Sequence, residues 1–497
     1  MSNLVEILVD TAQRSGNRPA LKHGDHMVTY RELDGASARV AYALRAAGCE
    51  PGDRVGLMLP NVPEFPFAYY GALRAGCTVV PMNVMLKQRE IAYYLGDPEA
   101  KVAIVWHALA DQARAGARQA GAQLIAVKPG DFGRPASEPA NAVVPRTGDE
   151  VAVILYTSGT TGSPKGAMLT HDNLVQTCHN VGTVLGVGPD DVTLGTLPLF
   201  HSFGQTVALN SAVRVGACLT LIPRFDPTLV LERIERDRVT IFLGVPTMFH
   251  ALLHSPDRQR FDTSSLRICV SGGASIPVEV LSAFEEQFGC VIREGYGLSE
   301  TGAAGTFNPQ GKRKPGSIGT ALPGTEVSVL GRDGAALPAG EIGEIALRGY
   351  HVMKGYWNRD EATREVLGDD GWLRTGDLGR VDSEGYFFIV DRKKDMIIRG
   401  GYNVYPREIE EILYEHPAIS AAAVLGIPDE AMGEEVGAAV VLKPGHELEP
   451  GEISTFVKQR VAAYKYPRQV WFLDQLPVGP TGKVLKRAIQ IPAEITR

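Results

Sequence analysis

Apolar strands that alternate with helices constrain the first part of this chain more than any other feature. Residues 53–59 (DRVGLML) predict a strand, residues 64–76 a helix, and residues 77–82 a second strand. A short helix is predicted at 89–97 and a further strand at 101–106. This alternation is typical of parallel βαβ units, in which helices cover the faces of a sheet. The first part of the chain is therefore predicted to form a layered α/β domain.

The pattern changes further along the chain. Short strands separated by turns after about residue 316 predict a β-rich subdomain that ends near Asp391. The last hundred residues predict a small α+β unit with helices at 407–415 and 452–463, because their apolar residues recur at helical spacing. A chain of 497 residues is also too long for one hydrophobic core, so at least two domains are expected.

The predicted fold class is α/β, with two domains of unequal size. The large N-terminal domain, residues 1–391, combines layered α/β sheets with the β-rich subdomain. The small C-terminal domain, residues 392–497, is the α+β unit. The charged segment 391–395 (DRKKD) between them is a candidate hinge, so the small domain is expected to be mobile.

Composition excludes several classes of partner. A net charge of −7 provides no overall attraction to nucleic acid or to an anionic membrane, so we expect no nucleic-acid partner and at most peripheral membrane contact. The six cysteines are scattered without a CxxC pair, which predicts neither a zinc site nor a disulfide framework. The N-terminal residues lack the basic and apolar segments of a signal peptide, so a cytoplasmic location is expected. The oligomeric state stays open between monomer and homodimer.

A loop of small residues follows the predicted strand 151–156. Its sequence, YTSGTTGSPKG (156–166), lets the backbone approach a ligand closely, and its hydroxyl and amide groups can donate to phosphate oxygens. Lys165 adds a positive charge. The loop is not a Walker A motif, because the order GxxxxGK[ST] followed by a helix is missing and the next residues read as a strand. A phosphate-binding loop is predicted, and a solvated turn is the alternative.

This loop resembles the phosphate loop of the AMP-forming acyl-CoA synthetases, a superfamily that includes adenylation domains and firefly luciferase. Five further motifs follow in the order of that family, and the resemblance covers nearly the whole chain. These motifs are EGYGLSET (294–301), GEIALRG (343–349), GWLRTGD (371–377), DRKKDMIIRGGYNVYPREIE (391–410) and PTGK (480–483). The resemblance implies two half-reactions. A carboxylate attacks the α-phosphorus of ATP to give acyl-adenylate and pyrophosphate, and the thiol of CoA then displaces AMP.

The resemblance also implies residues for the first half-reaction. Thr157 and Glu300 would hold Mg²⁺, Lys165 would bind the β- and γ-phosphates, and Lys483 would bridge the carboxylate and the α-phosphate. These four are the implied catalytic residues. The implied ATP- and AMP-binding residues are Thr157, Ser158, Gly159, Thr160, Thr161, Gly162, Lys165, Gly273, Ala274, Glu294, Gly295, Tyr296, Gly297, Thr301, Asp377, Arg392 and Lys483. Among them Tyr296 would lie against adenine, and Asp377 and Arg392 would bind the ribose.

The segment 197–204 (LPLFHSFG) bears on the class of acid. Adenylation domains that activate amino acids carry an aspartate where this chain has His201, so the resemblance favours a plain carboxylic acid. The segment 244–249 would form another wall of the pocket. A fatty acid is favoured and an aryl acid is the alternative, while His201 would otherwise be a packed core residue. The implied acyl-pocket residues are His201, Phe203, Gln205, Val207, Gly272 and Gly297.

The acceptor is expected to be CoA. The resemblance implies a CoA tunnel formed by Arg399, Gly400, Gly401 and Tyr402, which would act after the small domain rotates about Lys394. No insertion separates the last two motifs before this segment, which favours CoA over an acyl carrier protein. No carrier domain follows Lys483, so a free-standing enzyme is expected. A luciferase-like oxygenase is a less favoured alternative, and a catalytically silent sensor is disfavoured because it would have no use for Lys483.

Overall fold

The structure is a computed structural model that describes residues 3–132, 142–157 and 164–495. The α-helices are α1 (Glu6–Ser15), α2 (Tyr30–Ala46), α3 (Glu64–Arg74), α4 (Gln88–Gly96), α5 (Ala110–Ala120), α6 (His171–Leu185), α7 (Ser211–Val215), α8 (Pro227–Asp237), α9 (Pro246–Leu253), α10 (Val278–Phe288), α11 (Asp360–Val366), α12 (Pro406–Tyr414) and α13 (Pro450–Lys458). The strands are β1 (Pro19–His23), β2 (His26–Thr29), β3 (Arg54–Met58), β4 (Thr78–Pro81), β5 (Ala100–Trp106), β6 (Gln123–Val127), β7 (Val151–Thr157), β8 (Lys165–Thr170), β9 (Val192–Gly195), β10 (Cys218–Leu221), β11 (Ile241–Gly244), β12 (Ile268–Ser271), β13 (Val291–Tyr296), β14 (Thr306–Phe307), β15 (Thr320–Ala321), β16 (Thr325–Leu330), β17 (Gly343–Gly349), β18 (Gly355–Tyr356), β19 (Leu373–Val381), β20 (Phe387–Arg392), β21 (Ile397–Arg399), β22 (Tyr402–Val404), β23 (Ile419–Asp429), β24 (Gly433–Leu442) and β25 (Gln469–Phe472).

The predicted βαβ units form one large sheet, in the order β18-β8-β7-β4-β3-β5-β6. The strands β7, β4, β3, β5 and β6 run parallel, as the alternation predicts. Helix α3 between β3 and β4 is buried along its whole length, so the sheet is covered as the layered prediction requires. Strand β8 turns back antiparallel to β7, and their hairpin holds the two ends of the glycine-rich loop.

A second large sheet has the order β15-β14-β13-β12-β11-β9-β10-β1-β2, and its strands from β13 to β1 are parallel. Ser271 at the end of β12 pairs with Glu294 on β13. The segments that follow these strands therefore start from one edge of the sheet. In open α/β sheets ligands bind outside the carboxyl ends of such strands.

The predicted β-rich subdomain is an antiparallel sheet of order β16-β17-β19-β20. Beyond it, β22-β21-β24-β23 form a separate sheet, with β25 parallel to β24. Apolar residues of α12, α13 and this sheet share a core of their own, among them Ile409, Val424, Val440 and Val457. The α/β fold with a large and a small domain is confirmed, and its exact boundary between residues 391 and 392 stays a prediction.

The predicted helix at 452–463 is wrong at its C-terminal end, because α13 stops at Lys458. Beyond it the backbone turns, with Arg460 N donating to Val457 O at 2.8 Å. Val461 still packs against the core, but it does so from this turn. The apolar spacing therefore continued after the helix had ended. In the part of the chain that the structure describes, no helix is both long and apolar enough to cross a bilayer.

Candidate active site

The hairpin of β7 and β8 places Thr157 beside Glu300. Thr157 Oγ1 donates to Glu300 Oε1 at 3.4 Å, and Tyr356 OH donates to the same oxygen at 2.8 Å. Lys165 pairs with Thr157 across the hairpin, and its Nζ lies 5.3 Å from the centroid of the Tyr356 ring. A hydroxyl and a carboxylate oxygen are ligands that Mg²⁺ accepts, so this pair fits the predicted metal site. Ser158, Gly159, Thr160, Thr161 and Gly162 lie outside the described residues.

Asp377 and Arg392, which were predicted to bind the ribose, lie together, and Tyr296, which was predicted to lie against adenine, contacts Asp377. Tyr296 OH donates to Asp377 Oδ2 at 2.6 Å, and Arg392 Nε lies 3.4 Å from Asp377 Oδ1. Burial raises the pKa of Asp377, while the charge of Arg392 and the Tyr296 hydrogen bond oppose that rise. Burial, assisted by the Asp377 charge, raises the pKa of Tyr296 well above its usual value, so its hydroxyl stays a donor.

Other residues of the segment 294–301 support the backbone. Glu294 Oε2 accepts from Gly316 N at 2.9 Å, and burial raises the pKa of this carboxyl to about 7. Thr301 Oγ1 accepts from Leu298 N at 2.9 Å. Both side chains are thus engaged in holding loops. A Cβ added at Gly297 would lie 2.4 Å from the backbone of Ala303, so the turn after β13 has no room for a side chain there.

Lys483 reaches this site from the C-terminal domain. Its Cε lies 3.0 Å from the position of a Cβ added at Gly273, a residue whose φ of +80° suits glycine. Lys483 is half-buried, and burial together with the charge of Arg392 lowers its pKa to about 8, while Asp377 acts in the opposite direction. Gly273 and its neighbour Ala274 follow β12 and were predicted to form a wall of the nucleotide slot. Lys483 therefore lies against that predicted wall.

The predicted acyl-pocket residues lie next to Gly272. A Cβ added at that glycine would lie 2.9 Å from Cε1 of Phe203, so the aromatic ring covers it. His201 Nδ1 accepts from Phe203 N at 3.3 Å. Burial and the charge of Lys483 lower the pKa of His201 to about 4, so its imidazole is neutral at pH 7. Through Phe203 the histidine lies beside Gly272, another predicted pocket residue, and its role in the pocket stays a prediction.

The remaining pocket candidates lie on an irregular helix. Residues 203–210 form a π-helix, a geometry often found at functional sites. Val207 and Gln205 are buried, and Gln205 Nε2 lies 3.4 Å from Leu199 O. Gln205 Oε1 and Thr206 Oγ1 are buried without a hydrogen-bond partner among the described residues. Buried polar atoms without partners are uncommon in folded proteins.

The segment predicted to bind CoA lies in the hairpin of β21 and β22. Arg399 donates from Nε and Nη2 to the two carboxylate oxygens of Glu435, at 2.6 and 2.8 Å. Gly400 N donates to Met432 O at 2.8 Å. Tyr402, whose relative exposure is 60%, stacks on Tyr464 with ring centroids 4.8 Å apart. Gly401 has a φ of +82° and open space around it. Residues 400–402 are exposed and Arg399 is mostly buried against Glu435, and the role of this segment in CoA binding stays a prediction.

Two contacts of the site were not predicted from the sequence. Tyr356 donates to Glu300, and Thr247 Oγ1 donates to Gly482 O at 2.8 Å, next to Lys483 in the chain. Thr247 belongs to the segment 244–249, which the sequence assigned only to the wall of the acyl pocket. Their partners are distant in the chain, so neither contact has a local signal. Lys394 lies in the turn between β20 and β21, where a hinge was predicted, and that role stays a prediction.

Comparisons with known proteins find relatives that match nearly the whole chain. Residues 8–357 match the family described as AMP-binding enzyme, and residues 408–483 match the AMP-binding enzyme C-terminal domain. The long-chain-fatty-acid–CoA ligase of Bacillus subtilis (strain 168) is 38% identical and aligns over 98% of this chain and 94% of its own length. A feruloyl-CoA synthase of Amycolatopsis sp is 40% identical over 97% of both chains. ATP-bound MatB from Rhodopseudomonas palustris superimposes with a TM-score of 0.92, at 35% identity and 98% coverage of both chains.

These matches extend over 98% of the chain and so over its N-terminal and C-terminal parts. The chain therefore belongs to the family of AMP-binding enzymes. It is an AMP-forming acid–thiol ligase of the acyl-CoA synthetase type. Enzymes of this type use ATP and CoA as substrates, with Mg²⁺ typical of the family.

Proposed function

We propose that this protein joins a fatty acid to CoA through an acyl-adenylate. The observation that carries the proposal is the position of Lys483, on the C-terminal domain, whose Cε lies 3.0 Å from a Cβ added at Gly273 of the N-terminal domain. A cation at this position suits a carboxylate and a phosphate that must meet despite their like charges. The reaction consumes ATP and releases pyrophosphate in its first half and AMP in its second.

In the first half-reaction, a carboxylate oxygen bonds to the α-phosphorus while the bond from that phosphorus to the pyrophosphate oxygen breaks. Thr157 and Glu300 would hold Mg²⁺, which neutralises negative charge on the phosphates. Lys165 would add its charge at the start of β8. Lys483 would stabilise the charge that builds up on the α-phosphate, and the Asp377–Arg392 pair would orient the ribose.

In the second half-reaction, the sulfur of CoA bonds to the acyl carbon while the bond from that carbon to the AMP oxygen breaks. Residues 400–402 of this hairpin are exposed to solvent, so we propose that the C-terminal domain rotates about Lys394 to bring the hairpin to the adenylate. The domain boundary would then lie at residues 391 and 392. CoA is proposed as the acceptor in preference to an acyl carrier protein, because no insertion precedes the hinge segment. We also propose a cytoplasmic location.

The acid is proposed to be aliphatic because Phe203 and Val207 present apolar surface near His201. One observation favours a second candidate, an aryl acid with a hydroxyl group. Gln205 is a buried amide among the candidate pocket residues, and an amide can exchange hydrogen bonds with a phenol. Feruloyl-CoA synthase is the name of one relative with 40% identity.

Acid-dependent exchange of pyrophosphate into ATP tests the proposal. We expect exchange with medium- or long-chain fatty acids, and thioester formation once CoA is added. A parallel series of hydroxyaryl acids separates the two candidates, and a phosphopantetheinylated carrier protein replaces CoA in a further series. The variant Lys483→Ala should lower the rate of pyrophosphate exchange about 10²- to 10³-fold. Absence of exchange with every acid would refute adenylation, and light emission in oxygen would indicate an oxygenase instead.

A further inference from the structure

Lys483 lies on a short hairpin, residues 477–485, whose shape is set by its own backbone. Gly479 N donates to Lys483 O at 2.7 Å, and Leu485 N donates to Pro477 O at 2.8 Å. Gly482 turns the tip with a φ of +78°, which glycine adopts without strain. The hairpin is a small structure, so it needs contacts elsewhere to keep the lysine in one position.

Those contacts come from the first turn of helix α9 in the N-terminal domain. Thr247 Oγ1 donates to Gly482 O at 2.8 Å. A Cβ added at Gly482 would lie 2.8 Å from Cγ2 of Val245 and 3.2 Å from Oγ1 of Thr247, so the tip of the hairpin lies directly on these two residues. The bonded carbonyl is one residue before Lys483. A shift of the hairpin along α9 would therefore move the lysine with it.

We propose that Thr247 is a positioning residue for adenylation: its hydroxyl fixes the Lys483 hairpin over the phosphates in this domain arrangement. The inference rests on the proposed role of Lys483. The hydrogen bond joins two domains, so any rotation that removes Lys483 from the site also breaks it. Thr247 should then act in the first half-reaction and have no effect on the second.

The variant Thr247→Val tests this, because valine keeps the β-branched shape and removes the donor. A single neutral hydrogen bond corresponds to a change of about threefold to tenfold. We expect acid-dependent pyrophosphate exchange to fall by about that factor with the KM for the acid unchanged. Reaction of supplied acyl-adenylate with CoA should keep its wild-type rate. Thr247→Ser, which restores the donor, should recover the exchange.

Ser420→Ala is the matched control. Ser420 Oγ lies 3.4 Å from His250 Nε2, so this variant also removes a contact between the domains, but away from the hairpin. We expect it to leave the two half-reactions in the wild-type ratio. An equal selective loss in Ser420→Ala would overturn the proposal, because general domain closure would then explain the effect. A raised KM for the acid would also overturn it, by making Thr247 a pocket residue.

Hydrogen–deuterium exchange supplies a readout that does not depend on turnover. Peptides that cover 477–485 should exchange several-fold faster in Thr247→Val than in wild type, and the serine variant should restore the protection. Two results would overturn the positioning role alone, provided that the wild-type enzyme is active. One is unchanged deuterium exchange of these peptides in Thr247→Val, and the other is an unchanged adenylation rate in that variant. A wild-type enzyme without acid-dependent exchange would instead refute the proposed function.

Discussion

Tyr296 donates a hydrogen bond of 2.6 Å to Asp377 Oδ2, and this bond joins the end of β13 to the β-rich sheet. The other oxygen of Asp377 lies 3.4 Å from Arg392 Nε, at the end of β20. The carboxylate is therefore held from two sides. A buried carboxylate held in this way can accept hydrogen bonds from ribose hydroxyls with little rearrangement.

Replacing Asp377 with alanine should weaken ATP binding. A hydrogen bond to a charged group contributes roughly 1.5–3 kcal/mol, so we expect about tenfold to 150-fold weaker binding and slower adenylation. Isothermal titration calorimetry measures the affinity for ATP, and pyrophosphate exchange measures the rate of adenylation. Tyr296→Phe is the milder control, because it removes one donor and keeps the acceptor. Wild-type ATP affinity in Asp377→Ala would refute the ribose clamp.

The pKa of Lys483, lowered to about 8, predicts an alkaline limit for adenylation. Below that pH the amine is protonated and can stabilise the phosphate, and above it the neutral amine cannot. The value of kcat/KM for ATP reports groups of the free enzyme, so it should fall as the pH rises through about 8. His201, with a pKa of about 4, stays neutral over this range.

The variant Lys483→Arg tests whether deprotonation of Lys483 causes the alkaline fall in kcat/KM. Arginine stays charged at every pH of the assay, so the alkaline fall should move well above pH 8 even if the absolute rate is lower. The same alkaline profile in wild type and in the arginine variant would show that another group titrates. The value of kcat should respond less than kcat/KM, because bound phosphates favour the charged amine.

Gly401→Leu should impair thioester formation and spare adenylation. Gly401 lies in the solvent-facing hairpin that we propose to meet CoA, so a bulky side chain would obstruct the path or the rotated interface. Single-turnover rates of the two half-reactions measure the effect. Gly385→Leu is a matched control, since Gly385 has the same φ of +82° and the same open surroundings in a turn of the β-rich sheet.

Both leucine variants carry similar backbone strain, roughly 1–2 kcal/mol, so their stabilities should fall alike. Only Gly401→Leu should slow the reaction of acyl-adenylate with CoA. Equal thioester rates in the two variants would remove the 399–402 segment from the CoA site. Poor adenylation with intact CoA transfer in Gly401→Leu would also contradict the assignment.

Lys394→Pro should hold the enzyme in the adenylating arrangement. Lys394 lies in a turn in which Asp395 N donates to Arg392 O at 3.0 Å, and a hinge there must change its backbone dihedrals. Proline fixes φ near −65° and removes the amide donor. Adenylate should form and accumulate on the enzyme, because Lys483 stays over the phosphates and CoA cannot complete the reaction.

Lys394→Ala controls for the loss of charge, since it leaves the backbone free. It should support both half-reactions at rates close to wild type. Quenched single-turnover experiments measure the adenylate that remains bound in each variant. Thioester formation at the wild-type rate in Lys394→Pro would reject rotation about this residue.

The sequence alone determined the α/β class, because the period of its apolar residues matches strands and helices in turn. It also predicted site roles for Thr157, Glu300, Asp377 and Lys483, because each lies in a short motif that resembles one of the family. The sequence did not predict where helix α13 ends. Val461 continues the helical spacing although it packs from a turn, and spacing alone does not separate these two ways of reaching a core.

Only the tertiary structure decided how the motifs act together. Tyr356 meets Glu300 across 56 residues of chain, and Thr247 meets Gly482 across 235. The segment 399–402 has a clear motif, yet only the fold leaves residues 400–402 exposed while Lys483 lies against Gly273. Local sequence patterns reflect interactions between residues that are close together in the chain. Contacts between distant ones depend on how whole sheets and domains pack, and that packing is a property of the complete chain.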